Sequence, residues 1–397
     1  MHVLMLSTSS FDRSYSSYHL MEDIILSLLA AGHKVTLVQY AFIDDSKPPE
    51  SLSRWSSFSC HAVRMDYEKT DGFANRYIKE LRYFYKARKI ISSVQAADNI
   101  DVAFVQSNNA VWAAVFAVRS ACNAKIVYNE QDLFPDNALY SGLIPGGFVF
   151  SVMTMLLKWG YKRCSRIITI APDMKNAILS YLGSSDVPVD VVYNWHQSIS
   201  PSYEKEVNPL LCRLSESERR AFRVVYAGTI GKMQAVDVLV NAACLLKDQK
   251  DIQFFIIGSG SSKESIERMV SERDASNIQV WERVQADLAP YLYSLTSVNY
   301  IPLIKNGIKT CLPSKTAICF ASSRPLIVQV DSESSFANEV SSYEGVFVVE
   351  PGDAAGLAET IEKVRNLYGI EGSPIQSSWP QGSGMDYCRI IEQLGAK

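Results

Sequence analysis

The stretch CLPSKTAICFASSRPLIV, Cys311 to Val328, combines a Pro-Ser-Lys turn, a helix of small and apolar residues, a basic corner and a strand of buried character. A helix that begins beside Ser314 and Lys315 directs backbone N–H groups and the positive end of its dipole towards an anion. A turn, a helix and a buried strand in this order are typical of an α/β fold. The stretch therefore predicts an anion-binding turn at the edge of a helix-covered sheet.

Strands and helices alternate along the rest of the chain. After a break rich in Ser, Pro and charged residues between His196 and Ala221, the alternation starts again. Near-continuous apolar strands separated by amphipathic helices indicate parallel sheets that are covered on both faces. One of the helices should begin with a capping box at Ser261–Glu264. The apolar strand-like runs include HVLMLS, KVTLVQY, DVAFVQ, KIVYN, RIITI, FRVVYAG, IQFFIIGSGS, SVNYIPL and PLIVQV.

The length of 397 residues favours two domains of roughly 150–200 residues each. We predict an α/β protein with two doubly wound, Rossmann-like domains that face a central cleft, where such sheets bind ligands. The first domain should span residues 1–197 and the second residues 222–380, with a connection at 198–221. The final helical segment, 381–397, is expected to pack back on the first domain.

Composition excludes several classes of protein. Hydrophobic content of 47% and charged content of 20% are those of an ordinary globular chain, and a net charge of −3 argues against a nucleic-acid partner. The eight cysteines are scattered, without a Cys-x-x-Cys pair, as in reduced cytosolic proteins. The N-terminal run MHVLMLSTSS is predicted to be a first strand and not a signal peptide. A small-molecule partner is the expectation.

Three loops in the second half contain residues that favour phosphate binding. Two of them place glycine pairs after strands, Gly228 with Gly231 and Gly258 with Gly260, and the third precedes the Pro-Ser-Lys turn. Glycines allow the backbone to approach a phosphate closely, and lysines supply charge. Each loop alone is equally consistent with an ordinary strand-helix turn or a solvated basic loop. Together, at one sheet edge, they predict a nucleotide or sugar-phosphate site.

The order and spacing of these motifs resemble the retaining glycosyltransferases of family 4, which have the two-domain GT-B fold. The resemblance extends over nearly the whole chain and implies an acceptor role for residues 1–197 and a donor-nucleotide role for 222–380. The segments DLFPD and LPSK are most similar to the branch that builds bacterial surface polysaccharides from UDP-activated amino sugars. The markers are AAGHKVTLV (Ala30 to Val38), QDLFPD (Gln131 to Asp136), VVYNW (Val191 to Trp195), VVYAGTIG, FFIIGSGS, LPSK, RPLIV and EPGDAAGLAETI.

The resemblance implies a role for individual residues of the second domain. The glycine turns and the Pro-Ser-Lys turn would hold the donor diphosphate, Lys315 and Lys232 would act on it as catalytic cations, and the loop at Arg283 and Val284 would meet the base. The donor-binding residues implied in this way are Gly228, Thr229, Gly231, Gly258, Gly260, Arg283, Val284, Lys309, Pro313, Ser314 and Lys315.

In the first domain, Glu130 and Asp132 follow a strand that would face the cleft, so the resemblance implies that they orient the acceptor hydroxyl. The glycine-rich loop that the family has near the N-terminus is replaced by SFDRSYSSY, whose hydroxyl and N–H groups could substitute for it. The acceptor-side residues implied in this way are Ser14, Ser16, Ser17, Asn108 and Asn109.

This sequence also departs from the family pattern. Thr229 and Gln234 stand where many members have an Arg and a Lys, and the family's pair of glutamates would fall on Cys311 and Ile318. Loss of a ribose-binding carboxylate removes charge-assisted hydrogen bonds of about 1.5–3 kcal/mol, or roughly one to two orders of magnitude in affinity. We therefore predict a weakened donor site and a changed enzyme.

The resulting prediction is a retaining glycosyltransferase that moves a hexosyl or N-acetylhexosaminyl group from a UDP-sugar to a saccharide or lipid-linked acceptor. No cofactor and no metal ion are expected, since no Asp-x-Asp pair stands out. A catalytically silent GT-B partner or chaperone subunit of another glycosyltransferase is the alternative, and a UDP-sugar epimerase with the same fold is a third. Donor sugar, acceptor, linkage and oligomeric state have no signature in the sequence.

Two segments favour a location in the cytoplasm at the inner face of the cell membrane. RYIKELRYFYKARKI, Arg76 to Ile90, interleaves basic and aromatic residues at helical spacing, and an apolar run from Phe148 to Leu157 ends in basic residues. Such helices bind anionic membrane surfaces. Solvated helices that pack their aromatic rings inward would show the same pattern. Peripheral contact with the membrane is therefore an expectation beside a nucleotide-sugar donor.

Overall fold

The computed structural model describes residues 1–9, 18–41, 48–65, 72–196, 208, 210–285, 288–370, 372, 375 and 379–395. Ser14, Ser16 and Ser17 lie outside the described residues. The chain forms two compact units. The first contains Met1–Asn194, Lys309–Leu312 and Gly382–Lys397, and the second contains Trp195–Ile308 and Pro313–Gln381.

The first unit is built on a parallel sheet whose strand order is β3-β2-β1-β4-β5-β6-β7. Its strands are β1 (His2–Ser7), β2 (Lys34–Ala41), β3 (Phe58–Arg64), β4 (Val102–Gln106), β5 (Lys125–Glu130), β6 (Arg166–Thr169) and β7 (Val189–Val191). The helices that precede the second unit are α1 (Tyr18–Ala30), α2 (Glu50–Ser53), α3 (Phe73–Ala97), α4 (Val111–Arg119), α5 (Asp136–Tyr140), α6 (Phe148–Tyr161) and α7 (Pro172–Leu182).

The second unit has its own parallel sheet, with the order β10-β9-β8-β11-β12-β13. Its strands are β8 (Phe222–Thr229), β9 (Ile252–Ser259), β10 (Ile278–Trp281), β11 (Val298–Pro302), β12 (Leu326–Gln329) and β13 (Val346–Val349). Its helices are α8 (Glu216–Arg219), α9 (Asp237–Leu245), α10 (Lys263–Glu272), α11 (Ala289–Ser294), α12 (Lys315–Ala321), α13 (Ser335–Val340) and α14 (Ala354–Tyr368).

Both sheets have the doubly wound topology predicted from the alternating pattern, and the α/β fold class is confirmed. In each sheet the chain moves outward from the first strand in one direction, returns, and continues in the other direction. The order reverses beside β1 in the first unit and beside β8 in the second. Ligands bind outside the carboxyl ends of strands at such reversal points. The glycine turn after β8 therefore lies where this topology places a ligand.

The inner strands of both sheets are buried on both faces, which explains why their sequences are largely apolar. All six residues of β1 are buried, and β9 is buried at six of its eight positions. Helices α9 and α14 cover the second sheet through an apolar cluster that includes Leu239, Phe254 and Ile361. Burial of an aliphatic or aromatic side chain of this size stabilises the fold by about 1.5–3 kcal/mol.

The C-terminal helix α15 (Gly384–Gly395) belongs to the first unit and packs on α1. The Gly384 N–H donates to Asp23 Oδ2 at 3.0 Å, and a Cβ atom on Gly384 would lie 2.4 Å from the Asp23 carbonyl oxygen. The Tyr387 hydroxyl donates to Asn129 Oδ1 at 3.2 Å, which ties α15 to the end of β5.

The units differ in two places from the boundaries expected from sequence. Residues 309–312, expected in the second domain, group with the first unit because the Leu133 N–H donates to the Thr310 carbonyl at 2.7 Å and Asp132 pairs with Cys311 in an antiparallel bridge. The expected connection at 198–221 groups with the second unit and contains α8. This helix begins with a capping box between Ser215 and Glu218.

Two further expectations concern cysteines and membrane spans. All eight cysteines are free, and five of them are buried, as the scattered spacing predicts. Among the described residues, no helix has both the length and the apolar character needed to cross a bilayer.

Candidate functional site

The glycine turns after β8 and β9 pack directly against each other. Gly228 and Gly258 are register partners, and a Cβ atom on Gly258 would lie 1.8 Å from the Gly228 carbonyl oxygen. A Cβ atom on Gly260 would lie 2.3 Å from the Ile230 carbonyl oxygen. The second glycine pair is thus required by close packing of two backbones, a role that the sequence motif alone did not distinguish from phosphate contact. Gly228 itself is exposed.

The Lys315 side chain lies across the exposed glycine turn. A Cβ atom on Gly228 would be 3.6 Å from Lys315 Nζ, and this nitrogen is 3.5 Å from the centre of the Tyr226 ring. The Tyr226 hydroxyl in turn donates to the Thr229 carbonyl oxygen, which fixes the turn. The cation, the aromatic ring face and the glycine backbone therefore form one continuous surface in the second unit.

The Lys315 ammonium contacts the Tyr226 ring face but has no hydrogen-bond partner among the described residues. Its Nζ atom is buried and makes no hydrogen bond to any residue that the structure describes. Burial lowers the pKa of Lys315 to about 7, and the neighbouring Cys319 side chain opposes part of that lowering. A buried cation without a hydrogen bond is costly unless an anion joins it. This geometry agrees with the predicted contact between Lys315 and a phosphate group.

The other residues of the second unit that are predicted to lie on the donor side differ in exposure. Thr229, Lys232, Ser314 and Arg283 are exposed, whereas Gly231, Pro313 and Val284 are half-buried. Ser314 is the N-cap residue of α12, but its side chain makes no capping hydrogen bond. Lys309, also expected on the donor side, is exposed and belongs to the first unit.

The two positions where the family has glutamates are occupied by buried, uncharged side chains. Ile318 is 7% exposed, and Cys311 is buried with its thiol pKa raised to about 12 by burial. Burial also raises the thiol pKa of the neighbouring Cys319, on α12, to about 12. None of these three groups accepts a charge-assisted hydrogen bond from a ribose hydroxyl at neutral pH.

On the first unit, the Glu130 carboxyl at the end of β5 is enclosed. It is 1% exposed and accepts hydrogen bonds from Ser107 Oγ at 2.7 Å and from the Tyr161 hydroxyl. Burial raises the pKa of Glu130 to about 8, so the carboxyl is largely protonated at neutral pH. The predicted contact of Glu130 with an acceptor hydroxyl stays a prediction, and both of its carboxylate oxygens accept hydrogen bonds from neighbouring side chains.

Asp132, two residues further on, is the exposed carboxyl of this strand end. Its backbone N–H donates to Ser107 Oγ at 3.3 Å, and the Ser107 hydroxyl bonds to Glu130. Partial desolvation raises the pKa of Asp132 to about 6, which leaves a mostly ionised carboxylate at pH 7. Among the sequence-predicted acceptor groups, Asp132 has the exposure and charge to hold a hydroxyl.

The loop after β4 is held in place by hydrogen bonds to residues of α3 and β5. The Asn109 N–H and side-chain amide donate to Glu80 on α3 at 3.0 and 2.7 Å, and the Asn108 N–H donates to the Tyr128 hydroxyl at 3.1 Å. Burial raises the pKa of Glu80 to about 7. Asn108 and Asn109 thus shape the loop through their own hydrogen bonds. Glu80, like Tyr226, was missed from sequence because its pattern is that of an ordinary helical or strand residue.

Metal-binding side chains gather elsewhere. Within the ranges that the structure describes, the group of three possible metal ligands is His33, Cys388 and Glu392, at the turn before β2 and on α15. His33 Nε2 and Glu392 Oε1 are 3.0 Å apart, as in an ordinary surface ion pair. This group lies at the amino edge of the first sheet, whereas Glu130 and Asp132 follow the carboxyl edge.

Two family models match the chain over the same two units. The model for glycosyltransferase family 4 matches residues 20–196, and the model for glycosyl transferases group 1 matches residues 221–366. The chain belongs to glycosyltransferase family 4. The recognition made from motif order is therefore confirmed, and so is the GT-B fold of this family-4 protein. Both matched regions contain the turns and strand ends described above.

The relatives and solved structures agree with this assignment. The protein is 24% identical over 246 residues to the colanic acid biosynthesis glycosyl transferase WcaI of Escherichia coli (strain K12), a region that spans 60% of each chain. It is 21% identical to the glycosyltransferase WbjE of Pseudomonas aeruginosa over 71% of each chain.

Solved structures share the fold across essentially the whole chain. Sucrose-phosphate synthase from Thermosynechococcus elongatus superimposes with a TM-score of 0.68 at 14% identity, covering 99% of this chain and 95% of that one. Anabaena Alr3699/HepE, solved in complex with UDP-glucose, gives a TM-score of 0.65 at 11% identity, covering 100% and 98%. At these identities the likeness establishes the fold alone.

Proposed function

We propose that this family-4 protein transfers a sugar from a UDP-sugar to a saccharide or lipid-linked acceptor in surface polysaccharide synthesis. An N-acetylamino sugar is the transferred group that we propose first. One observation supports the donor part of the proposal. The buried Lys315 ammonium lies against the glycine turn at Gly228 and has no hydrogen-bond partner among the described residues. The names of WcaI and WbjE support the transferase class, and the UDP-glucose complex of Alr3699/HepE supports a nucleotide-sugar donor.

The chemistry follows from the leaving group. Cleavage of the bond between the sugar and UDP places negative charge on the diphosphate, and Lys315 would stabilise that charge more in the transition state than in the ground state. The turn at Gly228 and Thr229 is exposed and would approach the same oxygens, while Lys232, also exposed, would add a second cation. The diphosphate is neutralised by protein groups, and metal independence is part of the proposal.

The acceptor half of the proposal rests on Asp132. Its ionised carboxylate would accept a hydrogen bond from the acceptor hydroxyl, while the buried Glu130–Ser107 pair holds its backbone in place. For retention, the hydroxyl attacks from the face that the diphosphate leaves, a new carbon–oxygen bond forms, and the hydroxyl proton passes to a departing phosphate oxygen. No enzyme nucleophile is required in this scheme.

Ile318 supports a second candidate function. A buried isoleucine at the position of the ribose-binding glutamate is expected in a catalytically silent GT-B partner subunit as well as in an enzyme with weak donor affinity. The two candidates make opposite predictions about donor binding and product formation, so one experiment separates them.

A panel of UDP-, GDP-, ADP- and dTDP-sugars tests the proposal directly. UDP-sugars are expected to raise the melting temperature of the purified protein, and one of them should yield a glycosylated product with extracts of polyprenyl-linked saccharide. A folded sample that binds no UDP-sugar at millimolar concentration would favour the silent partner. If incubation of the protein with a UDP-sugar and no acceptor yielded a UDP-sugar of altered sugar stereochemistry, the protein would be an epimerase.

We also propose that the first unit contacts the membrane surface. Helix α6 exposes Phe148 (83% exposed), Val149 and Met155 to solvent. Basic residues follow on the same helix at Lys158 and in the turn after it at Lys162. The exposed basic residues of α3 include Arg76, Arg82, Lys86, Arg88 and Lys89. Exposed apolar side chains beside cations suit a bilayer with anionic lipids, where a lipid-linked acceptor would reside.

Replacing both Phe148 and Met155 by serine is expected to weaken binding to anionic vesicles by at least about tenfold. Burial of each apolar side chain in the bilayer would contribute roughly 1.5–3 kcal/mol to the free energy of binding. The matched control replaces Leu245 and Leu367, each 62% exposed on the second unit, and should bind like the parent. Co-sedimentation measures both. Failure of the parent to bind phosphatidylglycerol vesicles would contradict the membrane proposal.

A further inference from the structure

A cavity lies in the first unit, between α3 and the amino ends of β1, β2 and β3. It has a volume of about 490 Å³. This volume falls within the range of roughly 300–1,000 Å³ typical of small-molecule sites. His2 begins β1 and Lys34 begins β2, and both line the cavity. Because the strands are parallel, the cavity is at the opposite sheet edge from the loops after β4 and β5.

Helix α3 forms one wall of the cavity. The helix buries Tyr83, Phe84 and Ile91 in the core of the first unit. Its side chains that line the cavity are Lys89, Ile90, Ser93, Val94 and Ala97. The side chains of the sheet that line the cavity are all polar, namely His2, Lys34, Thr36, Ser59 and His61.

A polar row forms the floor of the cavity. His2 Nε2 is 2.8 Å from Thr36 Oγ1, and this oxygen is 2.8 Å from Ser59 Oγ, so one hydrogen-bonded chain crosses three strands. His2 is 4% exposed, and its Nδ1 atom makes no hydrogen bond within the described part of the chain; the nearest charge, Asp98 Oδ2, is 3.4 Å away. The imidazole and the two hydroxyl groups give the floor of the cavity polar atoms of the kind that recognise a polar ligand.

The rim of the cavity is cationic. Lys34, Lys89 and His61 line it, and Asp98 is the acidic residue among the lining side chains. Lys34 Nζ contacts Asp98 Oδ2 at 2.7 Å in an exposed pair, which an incoming anion can exchange at little cost. Hydroxyl groups, an imidazole and ammonium groups around apolar walls from Ile90 and Val94 match a small organic anion with a polar body.

We propose that this cavity binds a phosphate monoester of sugar-phosphate size, at a site separate from the donor turn at Gly228. The phosphate would meet Lys34, Lys89 and His61 at the rim, and the organic part would lie over the His2–Thr36–Ser59 row. The same headgroup chemistry occurs in a soluble sugar phosphate and in phosphatidic acid. The site does not depend on the proposed transferase activity, since all its residues belong to the first unit.

The test is isothermal titration calorimetry of the full chain with glucose 1-phosphate, inorganic phosphate and glucose. Ser93→Leu places an isobutyl group in the cavity at an exposed helical position, and Ser92→Leu, also exposed on α3 but outside the cavity lining, is the matched control. Glucose 1-phosphate should bind more tightly than phosphate, and glucose should give no heat. Ser93→Leu should weaken binding by at least about tenfold, whereas Ser92→Leu and Lys315→Ala should bind like the parent.

Vesicles containing phosphatidic acid, compared with phosphatidylcholine alone, distinguish a lipid source of the phosphate from a soluble one. Loss of vesicle binding in Ser93→Leu but not in Ser92→Leu would assign the lipid headgroup to the cavity. The proposal is overturned if no phosphate monoester binds the folded parent, or if Ser93→Leu binds as well as Ser92→Leu. It is also overturned if Lys315→Ala abolishes the binding, because the heat would then come from the donor turn.

Discussion

Replacing Lys315 by alanine is expected to lower turnover by at least tenfold while leaving the melting temperature unchanged or slightly higher. The ammonium supplies a charge-assisted hydrogen bond to the departing diphosphate, and loss of such a bond costs about 1.5–3 kcal/mol, or roughly one to two orders of magnitude in rate. The folded protein loses little, because Lys315 Nζ makes no hydrogen bond to the described residues and pays a desolvation cost. Initial-rate kinetics and thermal unfolding measure the two effects.

The matched control for this variant is Lys232→Ala. Lys232 is also close to the glycine turn in sequence but is exposed, so its loss should reduce turnover much less. Equal turnover of Lys315→Ala and the parent would remove Lys315 from the mechanism. A large fall in melting temperature would instead assign a structural role to its aliphatic chain over Tyr226.

The same lysine predicts a pH dependence of UDP binding. In the free protein the pKa of Lys315 is about 7, and a bound diphosphate raises it, so binding above pH 7 takes up a proton and affinity falls as pH rises. The usual pKa of 10.5 applies to the unfolded chain. The stability of the ligand-free parent relative to Lys315→Ala should therefore increase as the pH rises from about 7 to 10.5. Calorimetry in two buffers of different ionisation heat detects the proton, and Lys315→Ala should show none from this group.

Gly258→Ala is expected to destabilise the second unit by about 3 kcal/mol or more and to abolish UDP binding. The new Cβ would lie 1.8 Å from the Gly228 carbonyl oxygen, which is backbone and has little room to move, and the φ of +157° at this position disfavours any side chain. Relief of the clash would push apart the ends of β8 and β9 and displace the turn beneath Lys315. Denaturant unfolding and UDP titration report the two losses.

Gly183→Ala provides the comparison for backbone strain alone. Gly183 also has a positive φ, +63°, with a ψ of −120°, but a Cβ atom there would meet nothing within 4 Å, so the cost should be that of backbone strain alone, about 1–3 kcal/mol. If Gly258→Ala were no more destabilising than Gly183→Ala, the close packing of the two glycine turns would be wrong as an explanation for the Gly-x-Gly motif.

The parallel sheets could be predicted from sequence because burial on both faces makes a strand apolar at every position. The same physics places the glycine turns after β8 and β9 at one edge of the second sheet, since the carboxyl ends of neighbouring parallel strands share that edge. Their contact with a donor stays a prediction. Local hydrogen bonding was harder to foresee. The capping box expected at Ser261–Glu264 does not form, because α10 begins one residue later, with Ser262 as its N-cap residue and no capping hydrogen bond from that side chain.

Other features depend on contacts between residues distant in the chain. The enclosure of Glu130 requires Tyr161, which lies 31 residues away, and the loop at Asn109 is held by Glu80, which lies 29 residues away. The assignment of residues 309–312 to the first unit depends on a pairing with Asp132. A single sequence contains no periodic signal for any of these contacts.

The most direct measurement is a crystal structure of the protein with UDP. The account predicts a diphosphate oxygen within hydrogen-bond distance, about 2.7–3.2 Å, of Lys315 Nζ, with the glycine turn at Gly228 alongside it. Density for the diphosphate at any position out of reach of Lys315 would contradict the central claim, whatever the activity of the protein.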